Sequence, residues 1–193
     1  KEHLNQSPLP DRADGATSDR HDQEDYAISY GATLIATAVT NNFLLFLQIG
    51  DGDILSLSDD FEVTRPMPRD ERLLANETTS LCGVDAWRDF RVVFQPITKS
   101  RPALILLATD GYPNSFRDDP GFQQAGLDIL KALRAEGVSR VRNNLEGWLK
   151  DTTTVGSGDD VTLGILYPTR GPSQKKRRAR PDQTKSSRRE SPS

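Results

Sequence analysis

The segment that most constrains the fold is ALILLATDGYPNS at 103–115, where six apolar residues end in a Thr-Asp-Gly turn. A short apolar run that is bounded by turn residues is typical of a β-strand buried on both faces and is too short for an independent helix. Asp110 then lies at the end of a buried strand, where a carboxylate requires a hydrogen bond, an ion pair or a metal ion. Three interpretations are therefore open for Asp110: a turn cap, a cation ligand or a catalytic acid–base group.

Two further apolar segments lie upstream and predict paired strands. GATLIATAV at 31–39 and FLLFLQIG at 43–50 are separated by Asn41-Asn42, a dipeptide that favours a hairpin turn. After Gly50-Asp51-Gly52 we expect the chain to fold back as a second hairpin through 54–57. The segment at 43–50 is continuously apolar rather than alternating, which favours a sheet covered on both faces.

The apolar pattern changes its period between Gly121 and Lys150, which predicts two amphipathic helices that break near Gly137. The apolar faces are expected to contain Phe122, Ala125, Ile129 and Leu133 in the first helix, and Val138, Val141, Leu145, Trp148 and Leu149 in the second. Further strands are expected at 90–95 and 161–167. Antiparallel strands with a helical pair before the last one predict an α+β layered fold.

The composition excludes several classes of site. The chain has 193 residues, which corresponds to one domain of ordinary core size with tails. Its single cysteine, Cys82, excludes an internal disulfide and a cysteine-based zinc cluster, and both histidines lie in the polar leader. Any metal site is therefore expected to use oxygen ligands. No apolar run is long enough to span a membrane and no secretory signal is visible, so we expect a cytoplasmic protein.

The charge distribution predicts three regions. The net charge is −3, but 168–193 carries nine Lys or Arg residues against two acids and so has a charge of +7. We expect a disordered linker at 1–26, a folded domain at 27–167 and a basic disordered tail at 168–193. An acidic domain with a detached basic tail is not typical of a nucleic-acid-binding protein, so we expect the tail to be solvated.

Three acidic turns lie next to apolar strands: Gly50-Asp51-Gly52-Asp53, Thr109-Asp110-Gly111 and Gly156-Ser157-Gly158-Asp159-Asp160. If the strands are neighbours in a sheet, the carboxylates converge on one edge, where they repel one another unless a hard cation neutralises them. A cluster of oxygen ligands alone suits Mg²⁺ or Mn²⁺. The alternative is three independent turns, each exposed to solvent.

Taken in order, five segments resemble the motifs of the metal-dependent serine/threonine protein phosphatases of type 2C (PP2C). They are GATLIATAV, QIGDGDIL, NETTSLCG, LILLATDGYPN and SGDDVTLGIL, and they cover about residues 27–167. They resemble, in this order, the family's Gly-x-Thr strand, Gly-Asp-Ser-Arg hairpin, Asn-x-x-Thr-x-x-x-Gly segment, Asp-Gly strand end and closing Asp-Asn-x-Thr strand.

The resemblance implies a fold and an activity. The fold is a β-sandwich flanked by helices. The activity is hydrolysis of phosphoserine and phosphothreonine in proteins by a water that is activated at a binuclear Mg or Mn centre. A phosphoprotein substrate and a cognate Ser/Thr kinase are the implied partners.

The resemblance also implies the site residues. It places metal ligands at Asp110 and Asp159, and at Asp51 in a third, weaker metal site. Three more residues fall beside these ligands: Gly111, Asn114 and Asp160. The chain departs from the family pattern where Asp53 replaces the hairpin Arg, Asn114 replaces an acid and Asp160 replaces the Asn of the closing motif.

The family's N-terminal half, with the Asp-Gly-His-Gly-Gly strand end that bridges two metals, has no counterpart in the sequence. Because the only methionine is Met67, we expect further residues upstream that supply the missing strands and metal motif. We therefore expect the isolated fragment to be inactive. The alternative function that the residues leave open is a non-catalytic PP2C-like regulatory or phosphoprotein-binding module.

Overall fold

A computed structural model describes residues 31–68, 70, 78–83 and 85–168 of the chain. The predicted linker at 1–26 and nearly all of the predicted tail at 168–193 lie outside these residues, so the proposed limits of the domain stay predictions. The strands are β1 (Leu34–Val39), β2 (Phe43–Ile49), β3 (Asp53–Leu57), β4 (Val63–Thr64), β5 (Arg91–Pro96), β6 (Leu104–Ala108) and β7 (Leu163–Leu166). The helices are α1 (Ala86–Asp89), α2 (Asp119–Glu136) and α3 (Val138–Val155), with a 3₁₀ turn at Pro113–Ser115.

The described strands form two antiparallel sheets. The first sheet has the order β1-β2-β5 and the second has the order β4-β3-β6-β7. The predicted hairpin at Asn41-Asn42 joins β1 to β2 and is confirmed. Thr40 stabilises this hairpin, because its hydroxyl accepts hydrogen bonds from the backbone N–H of Asn42 at 3.2 Å and of Phe43 at 2.9 Å.

The predicted second hairpin, at Gly50-Asp51-Gly52, is wrong. The chain crosses here from the first sheet to the second, where β3 pairs with β4 and β6 instead of β2. Gly50 has a φ of +100°, which favours glycine, and a Cβ atom on it would lie 2.3 Å from Cγ2 of Thr33. The side-chain amide of Gln48 donates hydrogen bonds to the carbonyl oxygens of Gly50 and Gly52. A glycine-rich turn between two apolar segments occurs both in hairpins and in connections between two sheets. The local sequence pattern therefore could not distinguish these two arrangements.

The second sheet is the centre of the fold because both of its faces are buried. On the face toward the first sheet, the side chains in contact are Ile54, Ile105, Leu44 and Phe46. On the opposite face, the second sheet packs against α2. The sheet contributes Leu55, Leu57, Leu104 and Leu106, and the helix contributes Phe122, Ile129, Leu130 and Leu133. The prediction that the apolar run at 103–108 is a strand buried on both faces is confirmed.

The first sheet is buried on its inner face only, as far as the described residues extend. Val92 and Phe94 of β5 are 58% and 60% exposed on the outer face. Cross-strand pairing places ten described residues on this face, and all are apolar: Leu34, Ala36, Ala38, Phe43, Leu45, Leu47, Ile49, Val92, Phe94 and Pro96. Ile49 at the end of β2 is nevertheless buried. The sequence-based expectation that both faces of this sheet are covered is therefore not met by the described residues.

The two predicted helices are present and break at Gly137, whose φ is +84°. At the start of α2, the carboxylate of Asp118 accepts a hydrogen bond from the N–H of Gly121 at 2.9 Å. The expected apolar face of α3 is mostly not buried, because Val141 is enclosed whereas Trp148 is 37% exposed. The reason is that α3 packs mainly against α2 and the 3₁₀ turn. Neither these helices nor any other in the described ranges is long and apolar enough to cross a membrane.

Gly126 of α2 tests the packing of this helix on the second sheet. A Cβ atom on Gly126 would lie 3.3 Å from Cδ1 of both Leu106 and Leu55. Gly126→Val is therefore expected to lower the free energy of unfolding by about 1–3 kcal/mol, because it overpacks a filled core. Urea denaturation measures this change.

Gly147 of α3 is the matched control, because a Cβ atom there would have no neighbour within 4 Å. Gly147→Ala is expected to raise the free energy of unfolding by roughly 0.5–1 kcal/mol through helix propensity. Equal effects of the two substitutions would contradict the packing of α2 described above.

Candidate metal centre

The three acidic turns lie at the same end of the second sheet. Asp51 precedes β3, Asp110 follows β6 and Asp159 precedes β7. Since β6 lies between β3 and β7 in an antiparallel sheet, the three turns meet at one edge. This edge is called the acidic rim below and consists of 50–53, 109–111 and 156–160.

Asp110 is the most enclosed of the three acids, and its pKa is raised above the ordinary value for an aspartate. Burial is the largest cause, because desolvation disfavours the charged carboxylate. The negative charges of Asp51 and Asp159 raise the pKa further, while a hydrogen bond from the backbone N–H of Gly111 lowers it. Asp51 and Asp159 therefore each lie close enough to Asp110 for their charges to act on it, so Asp110 is not electrostatically independent of them.

Gly111 permits a close approach between two parts of the acidic rim. A Cβ atom on Gly111 would lie 2.5 Å from the carbonyl oxygen of Asp160 and 3.2 Å from Cβ of Asp159. Ser115 and Ser157 hold the same contact, since both hydroxyls donate to the carbonyl oxygen of Gly111, at 2.7 and 2.9 Å. Sequence reasoning did not single out these serines, although Ser157 lies inside one of the acidic turns.

The remaining predicted site residues lie on the rim or beside it. Asp159 is exposed, and its Oδ1 accepts a hydrogen bond from the backbone N–H of Asp160 at 2.8 Å. The backbone N–H of Asn114 donates to the carbonyl oxygen of Asp110 at 3.0 Å, which closes the turn that follows β6. Asp160 contributes its backbone to the contact with Gly111, and its own side chain is exposed.

The crossing that carries Asp51 is fixed from two sides. The backbone N–H of Gly50 donates to the hydroxyl of Thr79 at 2.9 Å, so the segment at 78–83 contacts the rim. A Cβ atom on Gly52 would lie 2.7 Å from the carbonyl oxygen of Ala108, which explains the glycine at this position. An open pocket of about 250 Å³ lies beside Asp51, and its lining includes Gln48, Asp53, Arg65, Arg91 and Asn114.

The chemistry of the rim fits a hard divalent cation, because its charged donors are carboxylates and their mutual repulsion is relieved by a bound positive charge. The set is not a complete ion cage. Within 31–68, 70, 78–83 and 85–168, no three acid, histidine or cysteine side chains lie close enough together to hold an ion. The described rim therefore brings acidic turns together next to the polar pocket without forming a metal site by itself.

Comparisons with known proteins agree with this architecture. The family model of protein phosphatase 2C matches residues 7–150, a range that includes Asp51 and Asp110 and ends before Asp159. The fold is similar to that of the serine/threonine phosphatase Stp1 from Staphylococcus aureus, with 16% identity and a TM-score of 0.52, over 89% of this chain and 74% of that one. No curated protein matches the chain in sequence at a significant level.

Two more solved structures are similar in fold. PppA of Pseudomonas aeruginosa, described as a key regulatory component of T6SS, has 18% identity and a TM-score of 0.51, over 76% of this chain and 63% of that one. A bacterial serine phosphatase has 15% identity and a TM-score of 0.50, over 75% of this chain and 62% of that one. The chain thus spans less than two thirds of the length of these two proteins, and at such identities the likeness concerns the fold alone. The family match over residues 7–150 and the shared two-sheet fold confirm the resemblance of the motifs, and the chain belongs to the protein phosphatase 2C family.

Proposed function

We propose that the chain is part of a phosphoprotein phosphatase that hydrolyses phosphoserine and phosphothreonine, with Mg²⁺ or Mn²⁺ held by Asp110, Asp159 and Asp51. The observation that carries this proposal is the convergence of the three acidic turns at one end of the second sheet, where burial and the negative charges of Asp51 and Asp159 raise the pKa of Asp110. A protein gains nothing in stability from such an arrangement unless a cation binds there. Membership of the PP2C family supports the same assignment.

Divalent cations bound at the rim would supply two functions, since they lower the pKa of a bound water and neutralise the oxygens of a phosphoryl group. The residues of the chain do the rest. The carboxylates hold positive charge at the end of the second sheet, and Gly111 keeps the loop that carries Asp159 against Asp110. Neither cysteine nor histidine is required as a nucleophile, in agreement with the composition.

The supporting residues have separate roles in this proposal. Asn114 closes the turn after Asp110 through its backbone, and Asp160 packs its backbone on Gly111. The open pocket beside Asp51 is the place where the residues next to a phosphorylated side chain would lie. A phosphoprotein substrate and a cognate Ser/Thr kinase belong to the same proposal.

A non-catalytic regulatory or phosphoprotein-binding module is the second candidate. It is favoured by the absence, in the described part of the chain, of any group of three potential ligands close enough to hold an ion. The two candidates differ in whether metal-dependent turnover occurs in the full-length protein.

Asp110→Asn and Asp159→Asn are expected to reduce Mn²⁺-dependent phosphate release from a phosphothreonine peptide by at least ~100-fold, because each removes a charged ligand. The assay uses the full-length protein, and circular dichroism verifies that each variant folds.

Asp128→Asn is the matched control, since Asp128 is an exposed acid of α2 that pairs with Lys131 at 3.0 Å. It is expected to leave phosphate release unchanged. Release that persists in Asp110→Asn would contradict the assigned ligands, and no release from the folded wild-type protein would favour the non-catalytic module.

Asp110→Asn is also expected to raise the stability of the metal-free chain at about pH 7. The raised pKa means that folding disfavours the charged carboxylate, so a neutral amide removes this cost. As the pH falls through the raised pKa, the folded wild-type protein takes up the proton first, and its stability relative to Asp110→Asn should recover. Urea denaturation in EDTA at about pH 7 and about pH 4 measures the difference; a variant less stable than wild type at both values would contradict the repulsion.

A further inference from the structure

Arg65 joins two carboxylates that belong to different layers of the fold. It directly follows β4, and its Nε donates to Oδ1 of Asp53 at 2.7 Å. Its Nη2 and Nη1 donate to the two carboxylate oxygens of Asp119, at 2.6 and 3.2 Å. Such a bidentate pair fixes orientation as well as distance. The side chain of Arg65 is 17% exposed, so the contact is partly shielded from water.

The two partners of Arg65 belong to the acidic rim and to α2. Asp53 is the first residue of β3, two positions after Asp51. Asp119 is the first residue of α2. One guanidinium therefore ties the crossing that carries Asp51 to the start of α2.

The charge of Arg65 is fixed in this position. Desolvation lowers its pKa, but the hydrogen bonds to Asp119 and Asp53 outweigh that effect and raise the pKa above its ordinary value. Three of the five N–H donors of a guanidinium are directed at carboxylates here. Arg65 is thus engaged within the protein, although it lines the pocket beside Asp51.

We propose that Arg65 is a positioning residue for the candidate metal centre, holding the crossing that carries Asp51 against the start of α2 through Asp53 and Asp119. This inference rests on the proposed function, because it needs a cation at the rim. This chain has Asp53 where the family hairpin has an arginine, and Asp53 pairs with Arg65.

Arg65→Lys tests this role, because lysine keeps the positive charge but cannot bind Asp119 in a bidentate manner or reach Asp53 at the same time. Mn²⁺ binding to the full-length protein is measured by electron paramagnetic resonance of the free ion. We expect the affinity to fall by about ten-fold, in the range that loss of a contact supporting a ligand costs. Because lysine keeps the positive charge, a loss of Mn²⁺ affinity would reflect the geometry of the Arg65 contacts rather than the electrostatic effect of its charge.

Arg134→Lys is the matched control. Arg134 forms an ion pair with Asp59 at 2.7 Å and stacks on Phe61, and none of these residues belongs to the rim. Both lysine variants are expected to lower the melting temperature by a few degrees. A purely structural Arg65 would give two variants with the same Mn²⁺ affinity, and that result would overturn the inference.

The failures of the two proposals are distinguishable. Wild-type protein that binds no Mn²⁺ overturns the metal centre, and the role of Arg65 with it, before any variant is compared. If the wild-type protein binds Mn²⁺ and Arg65→Lys binds it with the same affinity, only the role of Arg65 is overturned. If Arg65→Lys does not fold, Asp119→Asn removes the other end of the same ion pair, and its Mn²⁺ affinity decides in the same way.

Discussion

The burial of β3 and β6 on both faces is the constraint on which the rest of the structure depends. These neighbouring strands lie between the first sheet and α2, so their backbones pair within the sheet and their side chains fill two cores. The chain can change direction only at the ends of such strands. The turns that carry Asp51 and Asp110 share one end of these strands, and Gly52 and Gly111 allow these turns to approach backbone atoms at distances that a Cβ atom would prevent.

The same constraint produces the electrostatics of the acidic rim. Each turn could place its acid in open solvent, but burial of Asp110 and the charges of Asp51 and Asp159 raise the pKa of Asp110. Stability is thus given up at the place where we propose that a cation binds, a pattern that is common at functional sites. Arg65 pairs with Asp53 and Asp119 rather than with these three acids.

The sequence predicted those features that depend on local pattern. The apolar run before Asp110, the hairpin after β1 and the break at Gly137 each have a nearby signal, and all three are present. The crossing at Gly50 was missed, since partner choice between sheets depends on contacts distant in sequence. Arg65 gave no local signal for the same reason, because its partners lie 12 and 54 residues away.

The candidate site divides in the same way. Asp51, Asp110 and Asp159 were singled out because each lies in an acidic turn beside an apolar strand and matches a PP2C motif, and their role as ligands stays a prediction. The serine contacts on Gly111, in contrast, depend on how the α3–β7 loop packs. The apolar face of α3 was overestimated, because Val138 and Trp148 follow the helical period without being enclosed. Periodicity reports which side chains can be buried together, and the neighbouring layer decides which of them are.

The most direct test is to locate the cation on the molecule. Substoichiometric Mn²⁺ added to the ¹⁵N-labelled full-length protein broadens the amide resonances near any bound ion. We expect selective broadening of the amide resonances of Asp51, Gly111 and Asp160. The amides of α3 that precede its last turn should not be broadened. Broadening confined to other acids, such as Asp118 and Asp128, or spread evenly over the acidic surface, would contradict a single cation site built from the three turns.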